Sequence, residues 1–139
     1  TNVLYQALRN RSGASFRIFQ LIRHRKLELA ISVPVFLEYR DVLYRTETLQ
    51  DLNLTPSDAD AVLRLIAYLG RPVDIYYLMR PNLSDENDNM FVDLAFASNI
   101  RYLITGNISY FSRNQDLMFD SFQVVTPRDF IRLWSERNE

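Results

Sequence analysis

Cysteine is absent from the 139-residue chain. That absence removes disulfides, thiolate nucleophiles and zinc–cysteine sites together. Histidine is almost absent as well. His24 is the single example, and in its basic surroundings it reads as a surface residue rather than a catalyst. Acyl-transfer triads therefore have few members to draw on. Glycine is scarce, with three residues, and neither GxGxxG nor a GxxxxGK phosphate loop occurs, so nucleotide chemistry of those kinds has no support. No apolar run approaches the roughly 18 residues of a membrane helix. The opening residues, "TNVLYQALRN", lack a basic region followed by a long apolar stretch, so they do not read as a signal peptide. A cytoplasmic protein is the expectation.

Neither sign of charge dominates, since the formal net charge is −1. The distribution is uneven, however. Arg9, Arg11, Arg17, Arg23, Arg25 and Lys26 follow one another with no acid among them. Such a stretch is either a solvated helix face or a seat for a phosphate backbone. At 47% hydrophobic and 24% charged, the chain has the composition of one ordinary globular domain. No linker, repeat or domain boundary stands out.

Helical spacing of Phe16, Phe19 and Ile22 predicts a helix over 15–25. "LELAISV", residues 27–33, reads as a strand, and Pro34 starts a helix running to about Arg45. Thr55 caps, Pro56 starts and Gly70 ends the clearest helix. "PVDIYYL", residues 72–78, is β-branched and aromatic, a second strand. Asp88 is placed to cap a helix through Met90, Phe91 and Leu94. "RYLIT" (101–105) and "FQVVT" (122–126) read as strands, and Pro127 opens a last helix. Alternating strands and helices imply a mainly parallel sheet covered on both faces. Ligands of such sheets bind beyond the carboxyl ends of the strands.

With other chemistry thinned out, carboxylates remain. Glu38 sits among apolar neighbours in "PVFLEYRDVL", where a charge is costly unless paired. Arg40 or Arg64 is one pairing, and a metal ion is the other. Asp85 and Asp88 suit a helix N-terminus, either as caps or as ligands. Asp93 is harder to assign to capping, because it lies a full turn further on, beside Val92 and Leu94 and on one face with Asn89. "TGN", ending in Asn107, follows the strand "RYLIT". Clustered oxygen donors at one sheet edge favour Mg²⁺ or Mn²⁺, which suits phosphodiester cleavage.

Taken in order, "TNVLYQALRNRSGASFRIFQLI", "LELAISVPVFLEYRDVLYR", "DENDNMFVDLAFASNIRYLITGN" and "VVTPRDFIRLW" resemble a PIN domain over almost the whole chain. The likeness is to the toxin branch of toxin–antitoxin pairs. It implies a three-layer α/β/α sandwich with a mainly parallel sheet, and a Mg²⁺- or Mn²⁺-dependent ribonuclease. It places an Asp directly ahead of the Thr1–Asn2 pair, at the end of an N-terminal strand that the sequence does not include. It carries Glu38, Asp88 and Asp93 over as metal ligands, with Asp85, Asn89, Thr105 and Asn2 in support. Asn107 stands where the family usually has the Asp of Thr-Gly-Asp, a departure that weakens the site, because a neutral amide is a poorer ligand and no base. By the same resemblance RNA is the substrate, with Arg9, Arg11 and Arg17 toward its phosphates. An antitoxin protein is the expected partner and a homodimer the expected assembly. The alternatives are a PIN fold with a degraded site that binds protein or RNA, and an unrelated α/β domain whose acids only cap helices. Tyr39, Tyr44, Tyr76, Tyr77 and Tyr110 suit base stacking, although packing explains most of them equally well.

Overall fold

Among the described residues four short strands order the chain, and what lets the first two pair is visible at one glycine. Gly70 has no room for a side chain: a Cβ there would meet Ile31 Cγ2 at 2.7 Å and the Ile66 carbonyl oxygen at 2.9 Å. Its φ of −69° is ordinary, so space, not backbone conformation, calls for glycine. The close approach lets β2 (Gly70–Pro72) lie parallel to β1 (Leu29–Ile31), with Leu29 opposite Gly70 and Ile31 opposite Pro72. The second strand therefore falls two residues earlier than the β-branched run "PVDIYYL" predicts. Residues 73–75 are not strand, and 76–78 lie outside the described residues. Val73 N–H still donates to the Ile31 carbonyl at 2.8 Å, closing the ladder.

This computed structural model describes residues 1–75, 86–106 and 122–138, with the backbone alone for 86–89 and 138. Within them β3 (Tyr102–Ile104) pairs in parallel with β4 (Gln123–Val125), Leu103 opposite Val124. The helices are α1 (Asn2–Arg9), α2 (Ala14–Arg23), α3 (Val33–Leu43), α4 (Thr46–Leu52), α5 (Pro56–Leu69), α6 (Glu86–Ser98) and α7 (Pro127–Asn138). The chain is an α/β protein with parallel strands, as its alternating pattern predicts. The described strands form two separate two-stranded sheets.

Alternation along β3 and β4 assigns the layers. Leu103 and Val124 join Val92, Ala95 and Phe96 of α6 on one face. Tyr102, Ile104 and Val125 join Ile18 and Ile22 of α2 and Phe130 of α7 on the other. Edge-to-face rings fix both layers, Phe96 on Phe122 at 5.1 Å and Tyr102 on Phe130 at 5.4 Å. A third cluster, Leu43, Ala59 and Leu63, binds α3 to α5 and receives Leu4 and Leu8 of α1.

Caps explain where several helices begin and end. The Ser32 hydroxyl accepts from the Val35 N–H at 3.3 Å and starts α3 at the end of β1. Thr55 and Asp58 form a reciprocal capping box on α5. Asn53 and Asn99, at φ 55°, stop α4 and α6 in the left-handed conformation that asparagine tolerates. Asp88 lies two residues inside α6 and is not its cap. Among the described residues no helix is long and apolar enough to cross a membrane.

The capping box carries a pH signature. Hydrogen bonds from Thr55 hold the Asp58 carboxyl below its ordinary value of 3.8. A depressed folded value gives stability that is present above about pH 4 and is lost as pH falls through the folded value. Asp58→Asn is therefore less stable than wild type near neutrality, and urea melts should show the gap closing as pH falls below about 4.

Candidate active site

Arg71 links the start of β1 to the end of α6, just ahead of β3. Its guanidinium pairs with Glu28, just ahead of β1. It also donates at 2.9 Å to the Ser98 carbonyl, where α6 ends before β3. The starts of the two strands therefore lie close together, and the polar features at the far end of β3 come from distant parts of the sequence.

At the end of β3, the Asn2 side chain fastens the start of α1. Its Oδ1 accepts from the Gly106 N–H at 3.0 Å, and its Nδ2 donates to Thr105 Oγ1 at 3.4 Å. Thr105 is 7% exposed, so its hydroxyl is held at the rim and not left in solvent. At the end of β1, Ser32 launches α3, and Glu38 follows five residues into the helix, about 7.5 Å along its axis. Helix α6 ends just ahead of β3, and Asp88 stands in its first turn, at the other end of the helix.

Helices α3 and α6 pack together, with the Tyr39 ring 6.2 Å from that of Phe91. Burial pushes the Tyr39 phenol up to about 12, so Tyr39 is a neutral wall of this contact at physiological pH. Glu38 precedes Tyr39 and is half-buried. Asp93, two residues after Phe91, is 4% exposed. A carboxylate buried that deeply is not a surface accident. Among the described residues, neither Arg40 nor Arg64 forms an ion pair with Glu38, so the structural pairing weighed for it is not seen.

The basic stretch is spread over α1, the turn after it, α2 and the turn after α2. Arg9, Arg11 and Arg17 are all exposed. Arg9 is not free of acids in space, because Asp51 of α4 approaches it at 3.7 Å. Asp51 also accepts from the Tyr5 hydroxyl, which fastens α1 to α4. Arg25 stands in the left-handed region at φ 59°, with its guanidinium 5.1 Å from the centre of the Tyr68 ring.

A sequence profile described as "PIN domain" matches residues 1–109. The chain belongs to the PIN domain family. No curated protein and no solved structure matches it. PIN domains are generally nucleases and generally use divalent metal ions. The match takes in Asn2, Glu38, Asp93 and Thr105, so the rim described above is the part of this PIN domain to weigh as its active site.

The donor chemistry at this rim suits a hard cation. Every candidate offers oxygen: carboxylates on α3 and α6, the Asn2 amide and the Thr105 hydroxyl. Among the described residues no three acidic or histidine side chains converge on one point. The described portion is thus a pair of carboxylate-bearing helices beside a polar rim. Asp85, Asn107 and the side chains of Asp88 and Asn89 lie outside the described residues, as do Tyr76, Tyr77 and Tyr110. Sequence reasoning missed Arg71, which ties Glu28, ahead of β1, to the end of α6. No local signal marks it, since its partners are defined only by the fold.

Proposed function

We propose that this PIN domain is a Mg²⁺- or Mn²⁺-dependent endoribonuclease of the cytoplasm, the toxin of a toxin–antitoxin pair whose partner is an antitoxin protein. The observation that carries the reading is the buried carboxylate of Asp93 on α6, in a helix that packs against the Glu38-bearing α3. Glu38, Asp88 and Asp93 would hold the ion. When bound, the ion supplies an activated water and neutralises charge on the phosphate. Asn2 fastens the Thr105 hydroxyl and the Gly106 backbone at the end of β3, and so ties the start of α1 to this rim. Arg11 and Arg17, exposed and without an ion pair among the described residues, are the cations that can take flanking RNA phosphates, whereas Arg9 shares its charge with Asp51.

A second reading has one observation in its favour. Asn107 replaces the acid that the family usually carries, which suits a degraded site acting as a protein- or RNA-binding module. Incubating single-stranded RNA with the full chain separates the two. The nuclease reading expects fragments with Mn²⁺ and none with chelator. The binding-module reading expects intact RNA in both.

A further inference from the structure

Helix α2 divides the basic stretch of the sequence into two groups. Arg11 lies ahead of it and Arg17 in its first turn, whereas Arg23, His24, Arg25 and Lys26 gather at its other end. A helix of this length holds the two groups about 15 Å apart. All four residues of the second group are exposed, and among the described residues no acid pairs with Arg23, Arg25 or Lys26. Glu28, the nearest acid in sequence, is taken by Arg71.

The turn that gathers them puts an arginine where glycine is usual. Arg25 N–H donates to the Ile22 carbonyl at 3.0 Å, and Lys26 N–H donates to the Leu21 carbonyl at 2.9 Å. These two bonds close a helix around one left-handed residue, most often glycine. Here that residue is Arg25, at φ 59°, a conformation that costs a side chain more than it costs glycine. What arginine adds is its guanidinium, 5.1 Å from the centre of the Tyr68 ring. Tyr68, at the end of α5, is 73% exposed, so Arg25 lies over a ring that is otherwise open to solvent. Arg64 stands one turn earlier on the same face of α5 and is also exposed. Lys26 leads toward β1 and Tyr68 toward β2, which places this patch ahead of both strands. Helix α3, which carries Glu38, starts at the other end of β1.

We infer that this patch is a second nucleic-acid contact, which holds a single strand of RNA away from the candidate active site. One base stacks on the open face of Tyr68, and Arg23, Lys26 and Arg64 take flanking phosphates. An uncovered ring beside several unpaired cations supplies both components that single-strand binding needs, a π face and positive charge along the backbone. A duplex offers no free base to the ring, and an acidic protein would use the cations alone. The choice of RNA over DNA rests on the proposed function; the patch itself does not depend on the metal site.

The test is fluorescence anisotropy of a labelled single-stranded RNA with the full chain in chelator, so that no cleavage intervenes. Tyr68→Ala should weaken binding at least about fivefold, while Tyr68→Phe, which keeps the ring, should bind like wild type. Arg23→Gln combined with Lys26→Gln should weaken it about tenfold. The same pair should lower the slope of log affinity against log salt by about 1.4, the share of two phosphates. Arg25→Gly should melt no lower than wild type, because glycine suits the turn, and yet bind at least about fivefold more weakly. No binding up to about 100 µM protein overturns the inference. Equal binding by wild type and Tyr68→Ala, or by wild type and the double variant, does so too. Displacement by polyglutamate as readily as by unlabelled RNA assigns the patch to an acidic protein, and tighter binding of the same sequence as DNA removes the choice of RNA. A chain that binds through Tyr68 but never cleaves with Mn²⁺ keeps this inference and sinks the nuclease; cleavage with binding indifferent to these variants does the reverse.

Discussion

Replacing Glu38 by Gln should lower Mn²⁺-dependent RNA cleavage by at least about 100-fold, close to 3 kcal/mol of lost transition-state stabilisation. The substitution removes one negative charge and almost nothing else. Gln has nearly the same shape and helix propensity as Glu, and Glu38 makes no ion pair among the described residues whose loss would disturb α3. The melting temperature should therefore stay within about 2 °C of wild type. Loss of activity with an unchanged fold, partly recovered at higher Mn²⁺, is the pattern of a metal ligand. Equal cleavage by the two proteins would remove Glu38 from the chemistry.

Gly70→Val should be the most damaging change far from the site, costing about 3 kcal/mol, or roughly 10 °C in melting temperature. The new side chain has two obstacles. Ile31 Cγ2 is the end of a side chain and can rotate. The Ile66 carbonyl is backbone, and it accepts the Gly70 N–H that closes α5. Relief requires β2 to back away from β1, and with it goes Arg71, which links the starts of β1 and β3. Gly70→Ala should fall between Val and wild type. A Val variant that melts within about 2 °C of wild type would mean the two strands are not held this closely.

How much of this was readable beforehand depended on the range of the interaction. Thr55, Pro56 and Gly70 mark both ends of α5 because capping acts over three or four residues. Pro127 marks α7 for the same reason. Helix α1 carries a local signal too: Val3, Leu4, Ala7 and Leu8 have helical spacing, and Ala7 is 2% exposed. The shift of β2 could not be read from propensity, since a glycine admits the strand by what it lacks. Asp88 invited a cap assignment from composition, and the helix begins ahead of it. The contacts that build the rim join residues about a hundred positions apart, Asn2 with Thr105 and Gly106. Periodicity carries no information at that distance. The family likeness alone placed both ends of that pair in one site, as it did Glu38 and Asp93.

A calorimetric titration of the full chain with Mn²⁺ asks the remaining question without relying on the right RNA. If carboxylates of α3 and α6 share a divalent ion, wild type should show saturable binding, weakened at least about tenfold in Glu38→Gln. A flat wild-type titration, or identical curves for the two proteins, would contradict it.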